Sequence, residues 1–129
     1  MIGEIDSFSL SSTYVVIGDN GDAIPVAVSD RFFEQLESKF GDFKEERLIS
    51  HFTFDKDWET WEMHPAGEEF VCLLSGRVDL LVEQDRVENA VQLSTLGSYV
   101  LVPRGMWHTA RAQTPSSMLF ITPSEGTHT

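Results

Sequence analysis

From residue 14 onward the chain reads as short apolar or alternating runs separated by turn-forming clusters. That is the signature of β-strands joined by tight connections. The first run, 14–17, is rich in β-branched side chains and closes on Gly18-Asp19-Asn20-Gly21-Asp22. The second, 24–28, carries Pro25 near its start, which suits a sheet edge because proline donates no ladder hydrogen bond. Residues 30–40 break the pattern. Phe32, Phe33, Leu36 and Phe40 recur on one face of a 3.6-residue period, with Ser29 or Asp30 to cap the start and Gly41 to stop the helix. The aromatic stripe reads as core packing.

Strand signals resume at 48–54, 58–64, 70–74, 78–82, 87–93, 99–102, 107–113 and 118–122. Turns fall at Ser75-Gly76, at 83–85 and at Pro103-Arg104-Gly105. Eight or more short strands about 8–12 residues apart predict an all-β sandwich or small barrel, not a parallel βαβ sheet. No repeat or linker divides the 129 residues, so one domain is expected, with a loose polar tail beyond Pro123.

Charge narrows the partners. Nine Lys and Arg against 21 Asp and Glu leave a formal net charge of −12. Nucleic-acid phosphates and anionic leaflets both require clustered basic charge, so neither is an expected partner. Hydrophobic residues at 41% and charged residues at 23% place the chain among folded globular domains. Cys72 is the single cysteine, which rules out an intrachain disulfide and suits a reducing compartment. The opening residues lack the basic-then-apolar pattern of a signal peptide, and no apolar run nears the roughly 20 residues of a membrane helix. A cytoplasmic location is the expectation.

Two segments carry the chemistry. In Trp61-Glu62-Met63-His64, strand alternation points Glu62 and His64 the same way. After Pro65-Ala66-Gly67 an antiparallel return brings Glu69 beside that face. The second segment, 97–108, delivers His108 just past a tight turn. Two imidazoles and one or two carboxylates from adjacent strands make a facial metal site with open positions. The plainer reading is that His64 and His108 are satisfied core histidines. Alternation turns Glu68 away, His51 reads as a partly exposed strand residue, and His128 in the tail has no specific role. Cys72 reads as a buried inert thiol, and Trp58, Trp61 and Trp107 as packing residues.

These residues resemble the cupins. The first cupin motif is G-x5-H-x-H-x(3,4)-E-x6-G, and His64, Glu69 and Gly76 match its second half at the right gaps. The second is G-x5-P-x-G-x2-H-x3-N, and Gly97, Pro103, Gly105 and His108 match it, with 20 residues between Gly76 and Gly97. Three positions depart from the pattern: Lys56 replaces the opening glycine, Glu62 the first histidine, and Ala112 the closing asparagine.

The resemblance implies an all-β double-stranded β-helix, the jelly-roll or cupin barrel. Its motifs lie at about 56–112, and strands and one short helix precede them at about 1–45. It carries His64, Glu69 and His108 over as ligands of a divalent metal ion, Fe, Mn, Zn or Ni. Glu62 is the expected fourth ligand or, off the metal, a general base. By strand parity Thr60, Met106 and Ala110 line a small cavity of mixed polarity. The implied function is a metal-dependent enzyme of dioxygenase, isomerase or lyase type, acting on a small polar organic molecule. The alternative is a non-catalytic small-molecule-binding or sensor protein. Its size further implies a homodimer, with 14–28 as an edge-pairing element.

Overall fold

The computed structural model describes residues 5–40, 45–123 and 129. Gly41, the expected helix stop, lies outside them, as do His128 and tail residues 124–128. Nine strands and one helix follow in order: β1 (Thr13–Ile17), β2 (Ala23–Ala27), α1 (Phe32–Phe40), β3 (Arg47–Phe54), β4 (Glu69–Ser75), β5 (Val78–Gln84), β6 (Val87–Leu93), β7 (Tyr99–Val102), β8 (His108–Ala112) and β9 (Ser116–Pro123). They form a six-stranded sheet, β2-β1-β3-β9-β4-β7, and a three-stranded sheet, β6-β5-β8, antiparallel throughout.

The alternation read from the sequence sets the interior. On β4, Val71 and Leu73 face inward; on β5, Val78 and Leu80; on β9, Met118, all at 0% exposure. Register carries that face across the larger sheet, because Val71 pairs with Phe120 and Ser50 pairs with Phe120 on its other side. Left-handed backbone recurs at the turns, and two of them shape the barrel. Asp85 and Arg86 have φ of 51° and 65°, the two-residue hairpin that matches strand twist. That turn sits past the expected 83–85, so β5 runs on to Gln84. Gly76 has φ of 85°, and a Cβ there would collide with Ser116 Oγ and the Pro115 carbonyl. The closing glycine of the first motif is therefore a packing requirement.

Residues 58–64 correct the sequence reading, for they form no regular strand. They run beside β8, tied by Trp58 N–H to Ala110 O (2.9 Å) and by a reciprocal Glu62–His108 pair at 2.8 and 2.9 Å. From residue 58 to 62 is four steps, whereas 108 to 110 is two, so the surplus bulges out. The surplus lies before Glu62, and Glu62 and His64 still point the same way, their ligand atoms within 4.8 Å of each other.

A second apolar cluster joins Val16, Val26, Phe32 and Leu36, flanked by Tyr14 and Leu48. Helix α1 begins where Ser29 Oγ accepts the Arg31 N–H at 3.2 Å. Only part of its expected stripe is internal: Phe33 is 77% exposed. A helix turns 100° per residue, which swings Phe33 away from Phe32, while Leu36 returns to within about 40° of it. The side chain of Phe40 lies outside the described residues.

Candidate metal centre

Strand parity delivers polar groups to one end of the same inward face. Glu69 opens β4 two residues before Val71, and His108 opens β8 two residues before Ala110. Glu62 and His64 come from the bulged segment beside β8. The Gly105 N–H donates to His64 O at 2.9 Å, which ties the two motif segments together. Glu69 and His108 are buried as deeply as the hydrocarbon beside them, and His64 nearly so.

The donor atoms converge. Glu62, His64 and His108 each present a ligand atom within 4.8 Å of the others. Glu69 lies against both imidazoles: Oε1 is 2.9 Å from His108 Nε2, and Oε2 is 3.3 Å from His64 Nε2. Glu62 Oε2 is 3.9 Å from His64 Nε2. Thr122 Oγ1 donates to Glu69 Oε2 at 2.6 Å, and His108 Nδ1 lies 3.3 Å from Met106 O. A proton on that Nδ1 leaves the Nε2 lone pair facing a carboxylate.

These contacts shift titrations. Burial pushes the Glu69 carboxyl up, but the adjacent His108 and His64 overrule it and hold the group at about 2. Burial also opposes the charged form of His108, yet the Glu69 carboxylate raises it above its usual value. Glu62 is raised by burial and then by the charge of Glu69, against the pull of both histidines.

Does a divalent cation fit? Glu69 Oε1 and His108 Nε2 are buried, 2.9 Å apart, and neither makes a hydrogen bond. Facing donor atoms that do not bond each other are what a shared cation satisfies. Two ligands each about 2.1 Å from one ion are roughly 3.0–3.4 Å apart in octahedral or tetrahedral arrangement. The separations of 2.9 and 3.3 Å, made by the two oxygens of Glu69 to His108 and His64, lie at or next to that range, and Glu62 Oε2 stands further off, 3.9 Å from His64 Nε2. Imidazole nitrogen and carboxylate oxygen suit first-row divalent ions. The residues fit the group.

The centre opens into a cavity of about 870 Å³. Its origin is the mismatch of the sheets, because three strands cover less of the inner face than six expose. Toward β1 and β3 the cavity is lined by residues of α1 and by 55–60. Glu62, His64 and Glu69 lie at one end; Phe54, Trp58 and Phe120 form a wall, with centroids 5.8 Å (Phe54–Trp58) and 5.7 Å (Trp58–Phe120) apart. This corrects the expected small cavity. Thr60 does line it, but Met106 and Ala110 pack in the barrel core instead. On β8 the inward direction at Ala110 is already filled by the facing sheet. Thr122 and the cavity walls escaped the sequence reading, since only the β4–β9 register shows that Thr122 reaches Glu69.

Of the other residues singled out, Glu68 is exposed, as alternation requires, and His51 is half-buried, its carbonyl accepting the Tyr14 hydroxyl at 2.8 Å. Cys72 is a buried free thiol. No helix among the described residues is long and apolar enough to cross a membrane.

No protein-family model and no curated protein matches this sequence. Solved structures do match it. Bacillus subtilis oxalate decarboxylase, described for its Mn(II) centres, aligns over 72% of this chain and 26% of its own, with a TM-score of 0.58 and 18% identity. HppE, in its Fe(II) form with substrate, aligns over 59% of this chain and 42% of its own, with a TM-score of 0.50 and 15% identity. Hydroquinone 1,2-dioxygenase from a Sphingomonas species, with 4-hydroxybenzoate bound, aligns over 62% and 60%, with a TM-score of 0.52 and 16% identity. The chain thus spans about a quarter to three fifths of these proteins. The likeness is one of architecture: the chain has the cupin fold.

Proposed function

We propose that this protein is a metal-dependent cupin enzyme whose divalent cation is held by Glu62, His64, Glu69 and His108. One observation carries the reading. Two buried imidazoles, the buried Glu69 carboxylate and the partly exposed Glu62 carboxylate converge beside a cavity, and two of the buried atoms face each other without a hydrogen bond. The likeness to Mn(II)- and Fe(II)-containing enzymes supports Mn or Fe over Zn or Ni.

A bound divalent ion supplies Lewis acidity and open positions for an oxygen-bearing substrate. The rest falls to the chain. Thr122 fixes the Glu69 carboxylate, and the Met106 carbonyl fixes the tautomer and ring plane of His108, as outer-shell partners of metal ligands do. Glu62, with its side chain one third exposed, borders the space where substrate enters. Phe54, Trp58 and Phe120 give the cavity an apolar wall against which the body of a substrate can pack. Dioxygenation, isomerisation and lyase chemistry all use such a site. The same reading takes the chain as a cytoplasmic homodimer; β2 and β7, the outer strands of the larger sheet, are edges able to pair.

Turnover tests the enzyme reading. Protein loaded with Mn(II) or Fe(II) should consume oxygen or convert substrate from panels of diketones, enediols, phenols and organic acids, and His108→Ala should abolish the conversion. No turnover, together with ligand binding that survives His108→Ala, would instead favour a non-catalytic binding protein.

A further inference from the structure

The electrostatics and shape of the cavity discriminate among substrates. If the four proposed residues hold the cation, a charge of +2 meets two carboxylates, and 2 − 2 leaves a centre with no net charge. Such a centre gives a small dianion little long-range attraction. The lining opposes one, for the exposed Asp55, Asp57 and Glu59 lie along the same cavity, and Lys56 is the single Lys or Arg among the described lining residues. Anion recognition normally relies on arginine forks or clustered lysines, and none is present among those residues.

The size and walls point the same way. A volume of about 870 Å³ lies within the roughly 300–1,000 Å³ of small-molecule sites and far exceeds the needs of a few heavy atoms. Phe52 stacks on Phe54 at 5.5 Å and 18°, and Trp58 bridges Phe54 to Phe120. These rings contact one another and line the same cavity as Glu62, His64 and Glu69, Phe54 and Phe120 showing only their edges to it, and flat rings bind aromatic walls by offset or edge contacts.

We propose that the cavity selects a neutral, flat aromatic molecule, with an oxygen at the metal centre and its rings against Phe54, Trp58 and Phe120, and rejects small dianions. This rests on the metal reading above. It sharpens the sequence-based expectation of a small polar substrate, since only the head of the ligand need be polar.

The test compares 2-naphthol with oxalate by calorimetry on Mn(II)-loaded and metal-free protein at neutral pH. The loaded protein should bind 2-naphthol at least tenfold more tightly than oxalate, and the metal-free protein should bind it more weakly but measurably. Trp58→Ala should weaken 2-naphthol at least tenfold while Mn(II) remains stoichiometric. Because that truncation touches the core, Ser50→Phe, which fills the cavity from β3, provides a second variant with the same expected loss. Oxalate binding as tightly as 2-naphthol, or 2-naphthol affinity unchanged in a folded variant, overturns the inference. Failure of the metal reading looks different: no Mn(II) binds, yet 2-naphthol still does and still senses Ser50→Phe, which supports the cavity assignment.

Discussion

Strands β4 and β8 each carry two kinds of residue on one face. Toward one end lie Val71 and Leu73 on β4 and Ala110 and Ala112 on β8; at the other lie Glu69 and His108. The two ends are equally dry, with Leu73 and His108 both at 0% exposure and Glu69 at 3%. Burying a leucine stabilises a fold by about 1.5–3 kcal/mol. Burying a carboxylate or an imidazolium costs free energy unless partners compensate. The hydrocarbon end therefore supplies stability, and the polar end consumes some of it. That asymmetry is what the proposed metal site would account for.

Breaking the hydrocarbon end should give the largest effect on stability. Leu73→Ala is expected to cost about 2–5 kcal/mol in denaturant unfolding, while the affinity for Mn(II) changes little. A comparable loss of affinity would show that the two ends are not separable. At the polar end, Thr122→Val removes the donor to Glu69 Oε2 at nearly constant volume. Metal titration should then show a loss of about 10–100-fold, with a smaller change in stability.

The pH dependence sharpens the contrast, because hydrocarbon does not titrate. Glu69 is depressed from 4.5 to about 2, so its contribution to the metal-free protein is present above pH 4.5 and lost as pH falls toward 2. His108 is raised above 6.5, so its contribution is present below pH 6.5 and lost as pH rises through the raised value. Metal competes with the His108 proton. Mn(II) affinity should thus rise with pH through that titration, by roughly tenfold per unit below it. Mn(II) should raise the melting temperature more at pH 8 than at pH 6; an equal or smaller rise at pH 8 would contradict the ligand role of His108. The smallest effect is expected away from both ends. Tyr14→Phe loses the hydroxyl bond to His51 O, costs about 1 kcal/mol in unfolding and leaves metal binding intact.

The sequence made the barrel legible because alternation and turn glycines act locally. His64, Glu69 and His108 were recognisable from spacing, and Glu62 and His64 share a side because the irregularity at 58–62 ends before the two-residue step between them. What was not legible depends on register and on sheet width. Nothing in Ser116 to Pro123 announces that Thr122 abuts Glu69, and no run of residues reveals that three strands leave part of a six-stranded face uncovered. The size and aromatic walls of the cavity are therefore tertiary facts. Phe33 misled for a simpler reason: a phenylalanine adjacent to a buried one is 100° away on a helix.

The central claim is that the polar end exists to hold a divalent cation. Its most direct test is the elemental content of tag-free protein after loading with Mn(II), Fe(II), Zn(II) or Ni(II) and removal of excess ion, beside His108→Ala treated identically. Close to one metal ion per chain is expected in the parent and less than a tenth of that in the variant. No bound metal in the parent with any of the four ions, or equal loading in the folded variant, would contradict it.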